Sequence, residues 1–72
     1  MKTKLDHHTP GDRLRQARRD RGLKQFELGA QAGINPLYIS MAESRGYRLD
    51  EAQAQALARV LDIKPDELLE AE

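Results

Sequence analysis

Residues 25–42 hold the pattern that most restricts how this chain can fold: Leu28-Gly29, Ala32-Gly33-Ile34 and Asn35-Pro36, within a stretch otherwise suited to helix. Gly33 can take the left-handed backbone that ends one helix in a tight turn. Asn35 can cap the next helix, and Pro36 suits its first turn. Gly29 falls midway along the first helix. Two short helices joined at a steep angle by a three- or four-residue turn touch near that turn, so a side chain at 29 would hold them apart and glycine or alanine is required. Leu28, Ala32, Ile34, Ile39 and Ala42 then point into one core. Pro36, Leu37, Tyr38, Ser40 and Met41 stand outward or at the leading edge of the second helix.

The flanks read as further helices. Thr9-Pro10-Gly11-Asp12 opens helix 1, predicted over 10–21, with Leu14 and Ala17 as its apolar stripe and Gly22 as its stop. Helix 2 spans 25–32, with apolar Phe26, Leu28, Ala30 and Ala32. Lys24 stands at its cap position and is a poor cap, while Glu27 supplies half of a capping box. Helix 3 runs from Pro36 to about Ser44, before Gly46. Asp50 with Gln53 opens helix 4, which buries Ala54, Leu57, Ala58 and Leu61. Lys64-Pro65-Asp66-Glu67 opens a short helix 5 carrying Leu68 and Leu69. The expected fold is all-α, a five-helix domain over residues 9–72 behind a flexible tail of residues 1–8.

The 72 residues suffice for one domain, and with no cysteine it has neither disulfide nor thiolate metal site. No apolar run reaches membrane-spanning length, so no membrane association and a cytoplasmic location are expected. Net charge is zero but unevenly spread: residues 1–48 carry +5 and residues 49–72 carry −5. A polyanion would meet the first two-thirds of the chain, although solvated helix faces give the same distribution. Enzyme chemistry is not expected. There is no glycine-rich phosphate loop, both histidines (His7, His8) lie in the tail, and the carboxylates fall on surface faces. No catalytic residue, metal, cofactor or small-molecule ligand is assigned.

The helix pair around Gly33 has helix-turn-helix geometry, in which the second helix enters the major groove of DNA by its N-terminus. A helical hairpin without a DNA role shares the pattern. Over residues 11–69 the chain resembles the phage-repressor, or Cro/lambda-repressor (XRE), type of helix-turn-helix family. The resemblance rests on Gly11-Asp12-Arg13-Leu14-Arg15, Arg18, Gly22-Leu23-Lys24-Gln25, Glu27-Leu28, Ala32-Gly33-Ile34-Asn35-Pro36, Tyr38-Ile39-Ser40, Glu43, Leu57-Ala58, Leu61 and Glu67-Leu68-Leu69. It implies a five-helix lambda-repressor-like domain, with the motif in helices 2 and 3, acting as a transcriptional regulator, a repressor, on double-stranded DNA. It implies base reading from Pro36, Leu37, Tyr38, Ser40 and Met41, and DNA-backbone contacts from Lys24, Gln25, Arg45, Tyr47 and Arg48. It pairs Arg18 with Glu43, a bridge between helix 1 and the end of helix 3.

Five departures from the family pattern matter. Lys24 replaces the usual serine or threonine cap, trading helix stability for a charge near phosphate. Ala42 replaces a larger core residue. Gly46 falls one position late, and Leu49 stands where proline is common. Leu37 and Met41 are apolar where polar readers are usual; they can touch thymine methyl groups but cannot form the bidentate bonds that discriminate bases strongly. Such a patch also suits protein binding, so the alternative is a protein-interaction module on the same scaffold, an antitoxin or adaptor. Leu37 packing over helix 2 is a third reading. One small reader binds weakly, which points to a homodimer using apolar surface near Leu68 and Leu69, formed on DNA because the acidic end repels itself.

Overall fold

The computed structural model describes residues 9–69; the tail assigned to residues 1–8 lies outside that range. Four α-helices follow in order: α1 (Pro10–Asp20), α2 (Gln25–Ala32), α3 (Pro36–Arg45) and α4 (Glu51–Leu61). The expected fifth α-helix is instead a single 3-10 turn, Pro65–Leu68. Four residues opened by proline leave room for i to i+3 bonds only, and the chain is extended again at Leu69. No strand occurs among the described residues.

The helix starts follow from side chains that satisfy free amides. Thr9 Oγ1 accepts from the Asp12 amide at 3.0 Å. Asn35 Oδ1 accepts from Leu37 at 2.9 Å. Asp50 and Gln53 form a reciprocal capping box, with bonds of 2.7 and 2.9 Å. At α2 only half of that device exists. The Lys24 amide donates to Glu27 Oε1 at 2.8 Å, but a lysine ammonium has no acceptor to return.

The core gathers Leu14, Leu28, Ile39, Leu57 and Leu68 as its largest fully buried side chains. Ala42, Ala54, Ala58 and Leu61 complete it, together with Leu49, which sequence periodicity did not mark. Ala17, Leu23, Ala32, Ile34 and Leu69 pack at its margin. Phe26 is 62% exposed; at 3.6 residues per turn it and Ala30 stand on the face of α2 opposite Leu28. One expectation needs correction. Leu68 is 1% exposed, so it belongs to the core and offers no surface to a second subunit.

α3 rests on α1 and α2, α2 also packs on α4, and the 3-10 turn closes against α1 and α4. The α1–α3 crossing is tight. A Cβ added at Gly11 would collide with the backbone carbonyl oxygen of Ala42. α1 therefore begins directly on the backbone of α3.

Candidate nucleic-acid interface

The turn between α2 and α3 is built as the sequence requires. Gly33 is left-handed (φ 74°, ψ 32°), and the Ile34 amide closes onto the Gly29 carbonyl at 2.9 Å. The turn folds back over Gly29 so closely that a Cβ there would lie 2.6 Å from the Ile34 carbonyl oxygen and 3.0 Å from Pro36 Cγ. Pro36, assigned to base reading, is thus half-buried with its ring toward Gly29, where it sets the start of α3.

The rest of α3 divides cleanly. Ile39, Ala42 and Glu43 are buried. On the opposite side, at the i, i+4, i+7 and i+8 spacing of one helical stripe, lie Leu37, Met41, Ser44 and Arg45. Leu37 is 57% exposed, Ser44 and Arg45 are exposed, and Met41 is half-buried. Tyr38, exposed, and Ser40, half-buried, flank this stripe.

Tyr38 and Tyr47, assigned separate roles from the sequence, form one aromatic pair. Their ring centroids lie 5.5 Å apart at an interplanar angle of 33°, within the range where offset rings attract. Three links hold Tyr47 in place. Its amide reaches back to the Met41 carbonyl at 3.2 Å, past left-handed Gly46. Its ring meets Tyr38. Its hydroxyl points at Gln53 Oε1 at 3.5 Å, beside the cap of α4. Arg45, Arg48 and Lys24 are exposed, and Arg45 and Lys24 make no ion pair among the described residues.

Behind this surface, Glu43 joins three helices. Arg18 Nε donates to Oε2 at 2.8 Å and Nη2 to Oε1 at 2.9 Å. Gln25 Nε2 donates to Oε1 at 3.1 Å. Arg15 donates to the Glu43 backbone carbonyl at 2.9 Å and more weakly to Oε1 at 3.4 Å. Arg18 also reaches the Leu23 carbonyl at 2.8 Å. Burial pushes the Glu43 carboxyl up, but the hydrogen bonds from Arg18 and Gln25, the Arg18 charge and Arg15 outweigh it. The group is held below the ordinary carboxylate range. Arg18 in turn is raised, chiefly by its hydrogen bond to Glu43.

Several polar side chains beside the interface are engaged within the fold. Gln25, assigned to the groove rim, has one N–H engaged by Glu43. Arg15 is drawn to the same residue, and Arg13 Nε donates to the Glu67 carbonyl at 2.6 Å. Arg13 and Arg15 therefore brace the fold. Their partners lie 54 and 28 positions away, beyond the reach of local periodicity. Among the described residues no group of acidic or histidine side chains has metal-binding geometry. No helix there is long and apolar enough to cross a membrane.

Comparison with known proteins adds independent findings. A model of the helix-turn-helix family matches residues 14–68. The restriction-modification controller protein C.AhdI from Aeromonas hydrophila has a similar structure, with 33% identity, TM-score 0.74, and coverage of 83% of this chain and 91% of that one. The N-terminal DNA-binding domain of SinR from Bacillus subtilis superposes with TM-score 0.80 at 28% identity, over 92% of this chain and 97% of the other. The P22 c2 repressor, solved with a synthetic operator, gives TM-score 0.79 at 28% identity, over 90% and 98% of the two chains. No curated protein sequence gives a significant match.

Proposed function

The chain belongs to the helix-turn-helix family of the Cro and lambda-repressor type, a DNA-binding transcriptional regulator on that footing, and we propose that α3 enters the major groove N-terminus first to repress transcription. One observation carries this reading: α3 buries Ile39, Ala42 and Glu43 while turning Leu37, Tyr38 and Arg45 outward on an element fixed at both ends. Leu37, Tyr38, Ser40 and Met41 face base edges, and Pro36 sets the depth of entry. Lys24, Gln25, Tyr47, Arg45 and Arg48 meet the sugar-phosphate backbone. Phosphate contacts fix orientation and supply most non-specific affinity, while base contacts supply sequence.

A homodimer on a two-fold site, with half-sites about one helical turn apart, would raise affinity to a useful level. With Leu68 buried, the apolar surface left near the 3-10 turn among the described residues is half-buried Val60, Ile63 and Leu69.

Fluorescence anisotropy with a labelled random-sequence duplex at low salt tests the reading. Three phosphate contacts per subunit would give a dimer a log–log salt slope of about five. Arg45→Ala with Arg48→Ala should weaken binding and reduce that slope. Binding that ignores both arginines would favour a protein-interaction module instead, a reading that exposed Phe26 and Leu37 also suit.

A further inference from the structure

Residues 36–42, which lead α3, contain no charged and no amide side chain. The arginine, lysine, glutamine or asparagine that grips a guanine or adenine edge through two bonds is therefore missing from the part of the helix that would go deepest. The two amides that flank it are engaged: Asn35 Oδ1 accepts from the Leu37 amide at 2.9 Å, and Gln25 donates to buried Glu43 at 3.1 Å. What the leading turn presents instead is carbon. Leu37 is more than half exposed, and its own amide is satisfied by Asn35 Oδ1, so the turn is fixed before anything binds. Beside it in sequence, the Tyr38 ring is held against Tyr47. Buried Ile39 and Ala42 anchor the opposite side.

On the major-groove edge of a base pair the one apolar group is the C5-methyl of thymine. 5-Methylcytosine carries the same methyl on the same ring carbon. We propose that exposed Leu37 reads pyrimidine C5-methyl groups, so that this site treats 5-methylcytosine as it treats thymine. The inference rests on α3 being the DNA-reading element and adds the chemical group that it recognises. Each methyl buried against Leu37 should change affinity about fourfold.

The test begins with the tightest site selected from a random duplex library. Each thymine is replaced singly by deoxyuridine, which deletes only the methyl. Each T·A pair is then replaced by C·G or by 5-methylcytosine·G. At one or more positions deoxyuridine should cost about fourfold, and 5-methylcytosine should bind about fourfold tighter than cytosine. Leu37→Ala, at an exposed position that leaves the core intact, should erase both differences. Equal binding of thymine and deoxyuridine at every position overturns the proposal. A methyl effect that persists undiminished in Leu37→Ala overturns the assignment to Leu37. Absence of any salt-sensitive duplex binding by the unaltered protein would overturn the DNA reading itself, a distinct outcome.

Discussion

Arg18 grips the carboxylate of Glu43 through two nearly equal bonds, 2.8 and 2.9 Å, and the Glu43 side chain has no solvent exposure at all. The pair ties α1 to the end of α3. Attraction in such a pair is largely offset by the cost of taking both charges out of water, but removing one partner strands the other. Arg18→Met should therefore lower stability by about 3 kcal/mol, measured by urea unfolding. Arg18→Met with Glu43→Leu should recover most of that loss. If the double variant were less stable than the single, the carboxylate would owe its place to something other than Arg18.

The same geometry sets an acid dependence. Folded Glu43 has a lowered pKa, so below the ordinary value of 4.5 the unfolded chain takes up the proton first. The stabilisation is complete above that value and drains away as pH falls through the depressed folded one. The stability difference between the unaltered protein and Glu43→Gln should shrink as pH drops below 4.5 and stay constant above it. Denaturant unfolding across that range measures it; a gap that widened with acid would reverse the sign.

Gly29→Ala forces the Ile34 carbonyl and Pro36 ring away from α2. Because the nearest obstacle is backbone, relief requires moving the start of α3, at a cost of about 1–3 kcal/mol. DNA affinity should fall as well, even at temperatures where the variant is fully folded, because the leading end of α3 tilts. Thermal unfolding and anisotropy together check this. A variant that is less stable but binds unchanged would show that the angle between α2 and α3 does not set recognition.

Much of this architecture was legible in local sequence, and the limits follow from distance along the chain. Thr9, Asn35 and Asp50 announce the starts of α1, α3 and α4 because capping is decided within three residues. Gly29 and Gly33 announce the crossing because sterics at a short turn are local too. α2 was harder: with alternate residues apolar over eight positions, the pattern does not say which side is buried, and only the structure shows Phe26 turned outward. The last segment carries the composition of a helix start but is too short to complete an α-turn. Least visible were the contacts that gather Arg15 and Gln25 on Glu43, the Gly11–Ala42 crossing and the Tyr38–Tyr47 pair. Each depends on tertiary placement, for which one sequence carries no periodic signal.

Lys24 tests a trade between fold and function. It occupies a cap position without an acceptor, and Glu27 answers alone. Lys24→Ser should restore the missing bond and raise stability by about 1 kcal/mol. It should also weaken duplex binding and lower the salt slope by about one per subunit, since one phosphate contact is lost. Greater stability with unchanged binding would show that the lysine serves no phosphate.

The most direct test of the central claim is a map of which backbone amides respond when duplex DNA is added, read by heteronuclear NMR on uniformly labelled protein. Shifts should concentrate at residues 37–41 and 45–48 and at the start of α2, leaving α4 and the 3-10 turn largely unmoved. Shifts confined to α4, or spread evenly with no maximum on α3, would contradict the assignment of α3 as the element that reads DNA.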